Sequence, residues 1–323
     1  MTATRVREYL PWVLYAVFFG GIYLFSPGEH YVNLATRILV LSLFAVAFNL
    51  LFGTTGLLSF GQALFYGLGA YMTGMLTKEL GAEQFIIFLL LGGVAAAFLS
   101  IILGMLCLRL TGVYFTMLTL AFAQLVWGIC IKWYSFTGGD DGIQGIAKPT
   151  LFSDSYLYYG FCLIVVTVCL LILWQITRSS FGKVLRGIRQ NPVRVTFLGL
   201  NIYWHQNLAY MLSAFFSAIA GGLYAGIDGS IHPNMFFWTQ SGAVILMAIL
   251  GGIGNFFGPL VGAAVFTILE DTVIRHTEYW SFIIGAIMLT VVLVLPKGLT
   301  GIVEMVQRLA GRRGTEVERD ADS

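Results

Sequence analysis

The sequence predicts an all-α integral membrane protein with about eight full transmembrane helices plus a re-entrant or short-helix pair. Three observations carry this. Of 323 residues, 58% are apolar or aromatic and only 11% are charged, and the mean hydropathy is +0.84; a soluble domain runs near half apolar and a quarter charged. The apolar residues fall in long continuous runs, not in the short alternating segments of a membrane barrel. Most of these runs approach the length of about 20 residues that crosses a hydrocarbon core about 30 Å thick. The same composition excludes a soluble globular protein, a disordered chain and a nucleic-acid binder, and membrane lipid is the surrounding medium.

The first run, about 10–26, follows Arg5 and Arg7 and lacks an A-x-A-type cleavage site, so it reads as a retained span and not as a signal peptide. Further runs fall at about 34–52, 57–77, 85–108, 113–131, 157–174, 206–227 and 279–296. The loop 175–205 carries Arg178, Lys183, Arg186, Arg189 and Arg194 and no acid, which assigns it to the cytoplasm. Counting outward from it places both termini in the cytoplasm and the loops 27–33, 77–84 and 132–156 outside. The stretch 238–271 must then begin and end on the outer side, as two short helices joined by Gly251-Gly252-Ile253-Gly254-Asn255. The chain divides into a transmembrane domain, 1–303, with a cytoplasmic loop at about 178–205, and a polar cytoplasmic tail, 304–323.

Two regions are interrupted by glycine: 48–62 and 244–262. Broken helices in corresponding halves point to a transport pathway, whereas Gly222-x-x-x-Gly226 and Gly258-x-x-x-Gly262 read as close helix packing. The spans carry neutral polar residues, Asn49, Ser59, Gln62, Thr116, Thr119, Gln124 and Asn255. These suit either a pathway for a neutral or zwitterionic solute or hydrogen bonds between helices. Asn49, Ser59, Gln62 and Asn255 are expected to face a neighbouring subunit across a central axis.

Cys107, Cys130, Cys162 and Cys169 lie in or beside apolar runs and read as packing residues. The four histidines stand singly, so no metal site is expected. No nucleotide-binding G-x-x-x-x-G-K-[ST] loop is present, and neither G-x-S-x-G nor H-E-x-x-H occurs. No enzyme activity is expected of this chain, and it needs an energy source from elsewhere.

In the basic loop, Val184, Leu185 and Ile188 recur at helical spacing with Lys183, Arg186 and Arg189 on other faces. Asn191-Pro192 breaks the segment, and Val193–Leu198 restarts as a short helix stopped at Gly199. Such a surface serves anionic lipid or a soluble partner docking on apolar knobs rimmed by arginine.

Here the sequence resembles the permeases of ATP-binding-cassette importers, most of all the LivM-type permease of branched-chain amino acid importers, a family that also includes urea and short-amide permeases. Four segments carry the likeness in order over about 35–303: Asn49–Gln62 continuing to Gly69-Ala70-Tyr71; Leu108–Phe115 with Thr119-Leu120; Thr137-Gly138-Gly139-Asp140-Asp141-Gly142; and Ser180–Leu200 followed by Gly251-Gly252-Ile253-Gly254 and Gly258-Pro259-x-x-Gly262. The sequence departs from the pattern at Val193, Arg194, Val195, Val113 and Gln124. The resemblance implies a bacterial cytoplasmic (inner) membrane protein with no cofactor of its own. It implies a second, LivH-like permease as neighbour, two ATPase subunits on the cytoplasmic side and a periplasmic or lipid-anchored solute-binding protein. The ATPase-coupling loop would present Gly182, Leu185, Arg186, Ile188, Arg189 and Gly199. The solute would be a branched-chain or other hydrophobic amino acid, with urea or a short amide as the alternative cargo and a free-standing channel or carrier as the alternative machine.

Overall fold

The structure, a computed structural model, describes residues 11–12, 15–22, 28–146, 154–294, 298–299 and 301. Residues 15–22 are helical; the rest of the first expected span and the tail 304–323 lie outside the described residues. The main helices are α1 Glu29–Asn49, α2 Gln62–Leu80, α3 Phe85–Cys107, α4 Val113–Lys132, α5 Ser155–Arg178, α6 Ser180–Gln190, α7 Pro192–Phe197, α8 Ile202–Asp228, α9 Trp238–Gly251, α10 Gly258–His276 and α11 Trp280–Val294. Among the described residues, five helical stretches are long and apolar enough to cross a membrane: Glu29–Thr55, Ala82–Cys107, Val113–Lys132, Ser155–Arg178 and Ile202–Asp228. The glycine-rich pair and the last run form helices of 14, 19 and 15 residues.

α1 is buried along most of its length and is the central element, touched by α5, α8, α9 and α10. It ends in a π-helical turn, Leu50–Thr55, closed by Gly56 in the left-handed conformation at φ 83°. α2 packs across α8 through small residues. A side chain at Gly69 would run into Ala218, and one at Gly221 into the backbone of Tyr66 and Ala70. The expected close packing at the two G-x-x-x-G pairs holds: Gly222 meets Thr73 and Leu89, Gly226 meets Tyr158, Gly258 meets Gly252 and Gly262 meets Met247.

The stretch 238–271 differs from expectation at its start. α9 does not begin at the outer end of the bundle. Its Ser241 Oγ donates to Phe60 O at 2.6 Å and accepts from Ala63 N at 2.9 Å, at the first turn of α2. The opposite end of α2, at Leu80, is about 27 Å away at 1.5 Å per residue. After α8 the chain therefore descends beside α2 before it turns helical. On the way it forms a two-residue antiparallel ladder, β1 Ile143–Gln144 with β2 Ser230–Ile231, and a 3-10 turn, Pro233–Phe236. Phe236 rests on Gly67 and stacks tilted on Tyr71 at 5.2 Å. Backbone outside a helix is tolerated at this depth because protein covers it.

The two ends of the bundle differ in chemistry. At one, Arg37 pairs with Asp228 at 2.7 Å and Arg275 with Asp271 at 3.0 Å. At the other lie α6, α7, the π turn and the Gly252–Phe257 loop; Gly298 abuts Gly252 and Ile249 there.

Candidate coupling junction and pathway residues

The basic loop folds as read. Ser179 caps α6 by accepting from Gly182 N at 3.4 Å. Gly182 is pressed against Thr177 and Ile176, so only glycine fits the bend between α5 and α6. Gly182, Leu185 and Ile188 are buried, while Lys183, Arg186 and Arg189 are exposed. Asn191 Oδ1 caps α7 by accepting from Arg194 N at 3.1 Å, with Pro192 in the first turn. Gly199, at φ 76°, ends that segment in the left-handed region, where a Cβ costs about 1–2 kcal/mol. Asn201 Oδ1 then caps α8 through Trp204 N at 3.3 Å. Three apolar side chains of this segment stand out of the surface: Val193, Phe197 and Leu198, at 61%, 87% and 76% exposure. Their signal is apolar residues on the uncommitted face of a basic segment.

Arg189 Nη1 donates to Gly53 O in the π turn, so this arginine is engaged within the chain. A cleft of about 590 Å³ opens beside that contact, lined among others by Asn49, Gly53, Trp174, Arg186, Arg189 and Asn255. Arg178 lies over the Trp174 ring at 4.3 Å. No carboxylate is among the described residues lining the cleft, which leaves its field positive. Asn49 Nδ2 donates to Asn255 O at 3.2 Å, and Asn255 Oδ1 accepts from Phe257 N at 3.2 Å.

The six expected pathway residues separate into three groups. Asn49 and Asn255 meet in the cleft. Ser59, Gln62 and Thr119 are enclosed, at 0%, 0% and 1% exposure. Ser59 Oγ accepts from Gly61 N, Gln62 Oε1 accepts from Ser217 Oγ at 3.1 Å, and Thr119 Oγ1 accepts from Phe60 N and donates to Thr116 O. They tie the broken start of α2 to α4 and α8. The expectation that Ser59 and Gln62 face a neighbouring subunit is therefore corrected, because both side chains are enclosed by this chain's own helices. Asn49 is also buried, at 6% exposure, and only Asn255 of the four is exposed. Gln124 is half-buried beside an open apolar groove with Phe60, Thr116, Met117, Leu120 and Trp238.

Residues 30–292 match the family described as the branched-chain amino acid transport system / permease component. The chain belongs to this family. It is 28% identical over 302 residues to the high-affinity branched-chain amino acid transport system permease protein LivM of Salmonella typhimurium, covering 85% of this chain and 71% of that protein. It is 30% identical over 192 residues to the galactose/methyl galactoside import permease protein MglC of the same organism, covering 54% and 56%. Likeness to the permease protein LivH of that system is 23% over 282 residues, covering 80% and 91%. No solved structure matches the chain. A permease of this family is a multi-pass helical membrane protein of the inner membrane and not an enzyme, in keeping with its long apolar helices.

Proposed function

We propose that this chain forms one half of the translocation pathway of an ATP-driven importer of branched-chain and other hydrophobic amino acids. The observation that carries the reading is the surface of α6 and α7. Val193, Phe197 and Leu198 are exposed there, and so are Lys183, Arg186 and Arg194. Exposed apolar side chains among basic ones suit a soluble ATPase partner, since a buried apolar centre and polar rim are the anatomy of such an interface. Two ATPase subunits supply the energy, an unlike LivH-type permease completes the pathway and a periplasmic or lipid-anchored protein delivers the solute. Eight full crossings plus the α9–α10 pair, both termini in the cytoplasm, a transmembrane domain over 1–303 and a tail over 304–323 complete this reading. Asn49 and Asn255 line the inner end of the pathway and Gln124 its exposed wall. Ser59, Gln62 and Thr119 hold the broken helices that frame it.

The experiment is uptake in a deletion strain carrying this chain with its neighbouring subunits, with labelled leucine competed by unlabelled valine, galactose and urea. Competition by valine alone supports the reading. Competition by galactose or urea transfers the assignment to a sugar or amide, and a chain that transports in liposomes without ATPase subunits defeats the importer reading.

A further inference from the structure

Five side chains and backbone groups from three separate segments meet at the π turn. Arg189 on α6 donates to Gly53 O. A Cβ at Gly53 would lie 2.7 Å from Asn49 Cγ and 2.7 Å from Ile253 O, so the turn is wedged between α1's own asparagine and the tip of the α9–α10 hairpin. Asn49 Nδ2 holds that tip through Asn255 O at 3.2 Å. Its Oδ1 is buried with no hydrogen-bond partner among the described residues. An unpaired buried acceptor costs about 1–3 kcal/mol, so the arrangement favours any shift that gives Asn49 a second partner. Single π turns recur at functional sites, and this one closes α1 directly before Gly56.

Resting on the importer reading, we infer that the π turn Leu50–Thr55 is the internal transmission element: motion of α6 is passed by Arg189 to Gly53, and by Asn49 to the backbone of Asn255 at the hairpin tip. Arg189 and Asn49 are positioning residues and need not touch solute or ATPase. The route uses the backbone oxygen of Asn255, so the Asn49 side chain is essential to it and the Asn255 side chain is not. It also uses a contact that can be replaced covalently. A Cβ at Gly56 would lie 3.5 Å from Arg189 Cβ, at the short end of the spacing of about 3.5–4.5 Å that a disulfide spans.

The test uses the complete transporter with its binding protein in liposomes, and reads solute imported per ATP hydrolysed. Asn49→Ala is expected to lower that ratio by about fivefold, the weight of one buried hydrogen bond, while ATP hydrolysis persists. Gly128→Ala on α4, where an added Cβ meets nothing within 4 Å, leaves the ratio unchanged. The pair Gly56→Cys/Arg189→Cys, in a background with Cys107, Cys130, Cys162 and Cys169 replaced by alanine, is uncoupled when reduced and regains coupling when oxidised. Unaltered coupling in Asn49→Ala, or equal coupling of the reduced and oxidised pair, overturns the transmission route while leaving the importer reading intact. A wild-type complex that imports no solute with ATP overturns the importer reading itself.

Discussion

Replacing Gly221 by alanine tests the crossing on which the bundle's interior depends. The added Cβ would overlap the Tyr66 carbonyl oxygen and lie 2.8 Å from its carbon and 3.2 Å from Ala70 N. Ordinary van der Waals separation between such carbon atoms is about 3.5–4.0 Å, and a gap of 0.5–1 Å forfeits about a quarter to a half of each contact. Both obstacles are backbone, so neither can rotate away, and α2 and α8 must part by about 1 Å or more to clear the carbonyl oxygen. Gln62–Ser217, Gly69–Ala218 and Thr73–Gly222 lie along the same seam and separate together. The expected loss is about 3 kcal/mol, the upper part of the range for overpacking. Gly128→Ala on α4, where a Cβ meets nothing within 4 Å, is the control and is expected to gain about 0.5–1 kcal/mol of helix propensity. Denaturant titration of the purified protein in detergent, followed by tryptophan fluorescence, measures both. A Gly221→Ala variant within about 0.5 kcal/mol of the control, the ordinary scatter of surface substitutions, would refute the close-contact account.

Ser241→Ala leaves Ala63 N without its partner and is expected to destabilise by about 1–3 kcal/mol in the same titration; no change would mean that the α2–α9 junction is held by packing alone. Cysteines at Asn255 and Ser59 should differ in labelling by a small aqueous thiol reagent, because Asn255 is exposed and Ser59 is fully enclosed; equal labelling rates contradict that arrangement. Gly199→Val should cost about 1–2 kcal/mol through backbone strain alone, since nothing lies within 4 Å of its Cβ, and equilibrium unfolding reads it directly. Arg37→Gln breaks an ion pair whose side chains are 43% and 27% exposed, so its loss should stay below about 1 kcal/mol at both low and high salt.

The parts legible in the sequence are those whose causes are local. Asn191 caps, Pro192 starts and Gly199 stops α7, and each acts through its own backbone or within three residues, so the reading and the structure coincide there. The long apolar runs of α3, α5 and α8 were equally plain. The start of α9 was not, because what fixes it is Ser241 bonding to Phe60 and Ala63, 181 and 178 positions earlier. Ser59, Gln62 and Thr119 illustrate a second limit. A neutral polar side chain has the same composition whether it wets a pathway or ties two helices, and only its partner distinguishes the two. Arg189 is the third case: a basic residue on an exposed face reads as a docking contact, yet its guanidinium reaches back to Gly53.

The depth at which α9 begins has a consequence for how the chain is built into the membrane. Its 14 residues make a helix of about 21 Å, short of the length that spans a bilayer on its own. The segment leading to it carries extended backbone that hydrocarbon alone would not tolerate. The insertion machinery therefore cannot release α9 into lipid as an independent unit, and its seat is made by α1, α2 and α4, synthesised long before it. The carboxy-terminal third folds against a template already in place, so a defect in the α2 start at Phe60–Ala63 should surface as misinsertion of α9 and α10, far downstream of the altered residue.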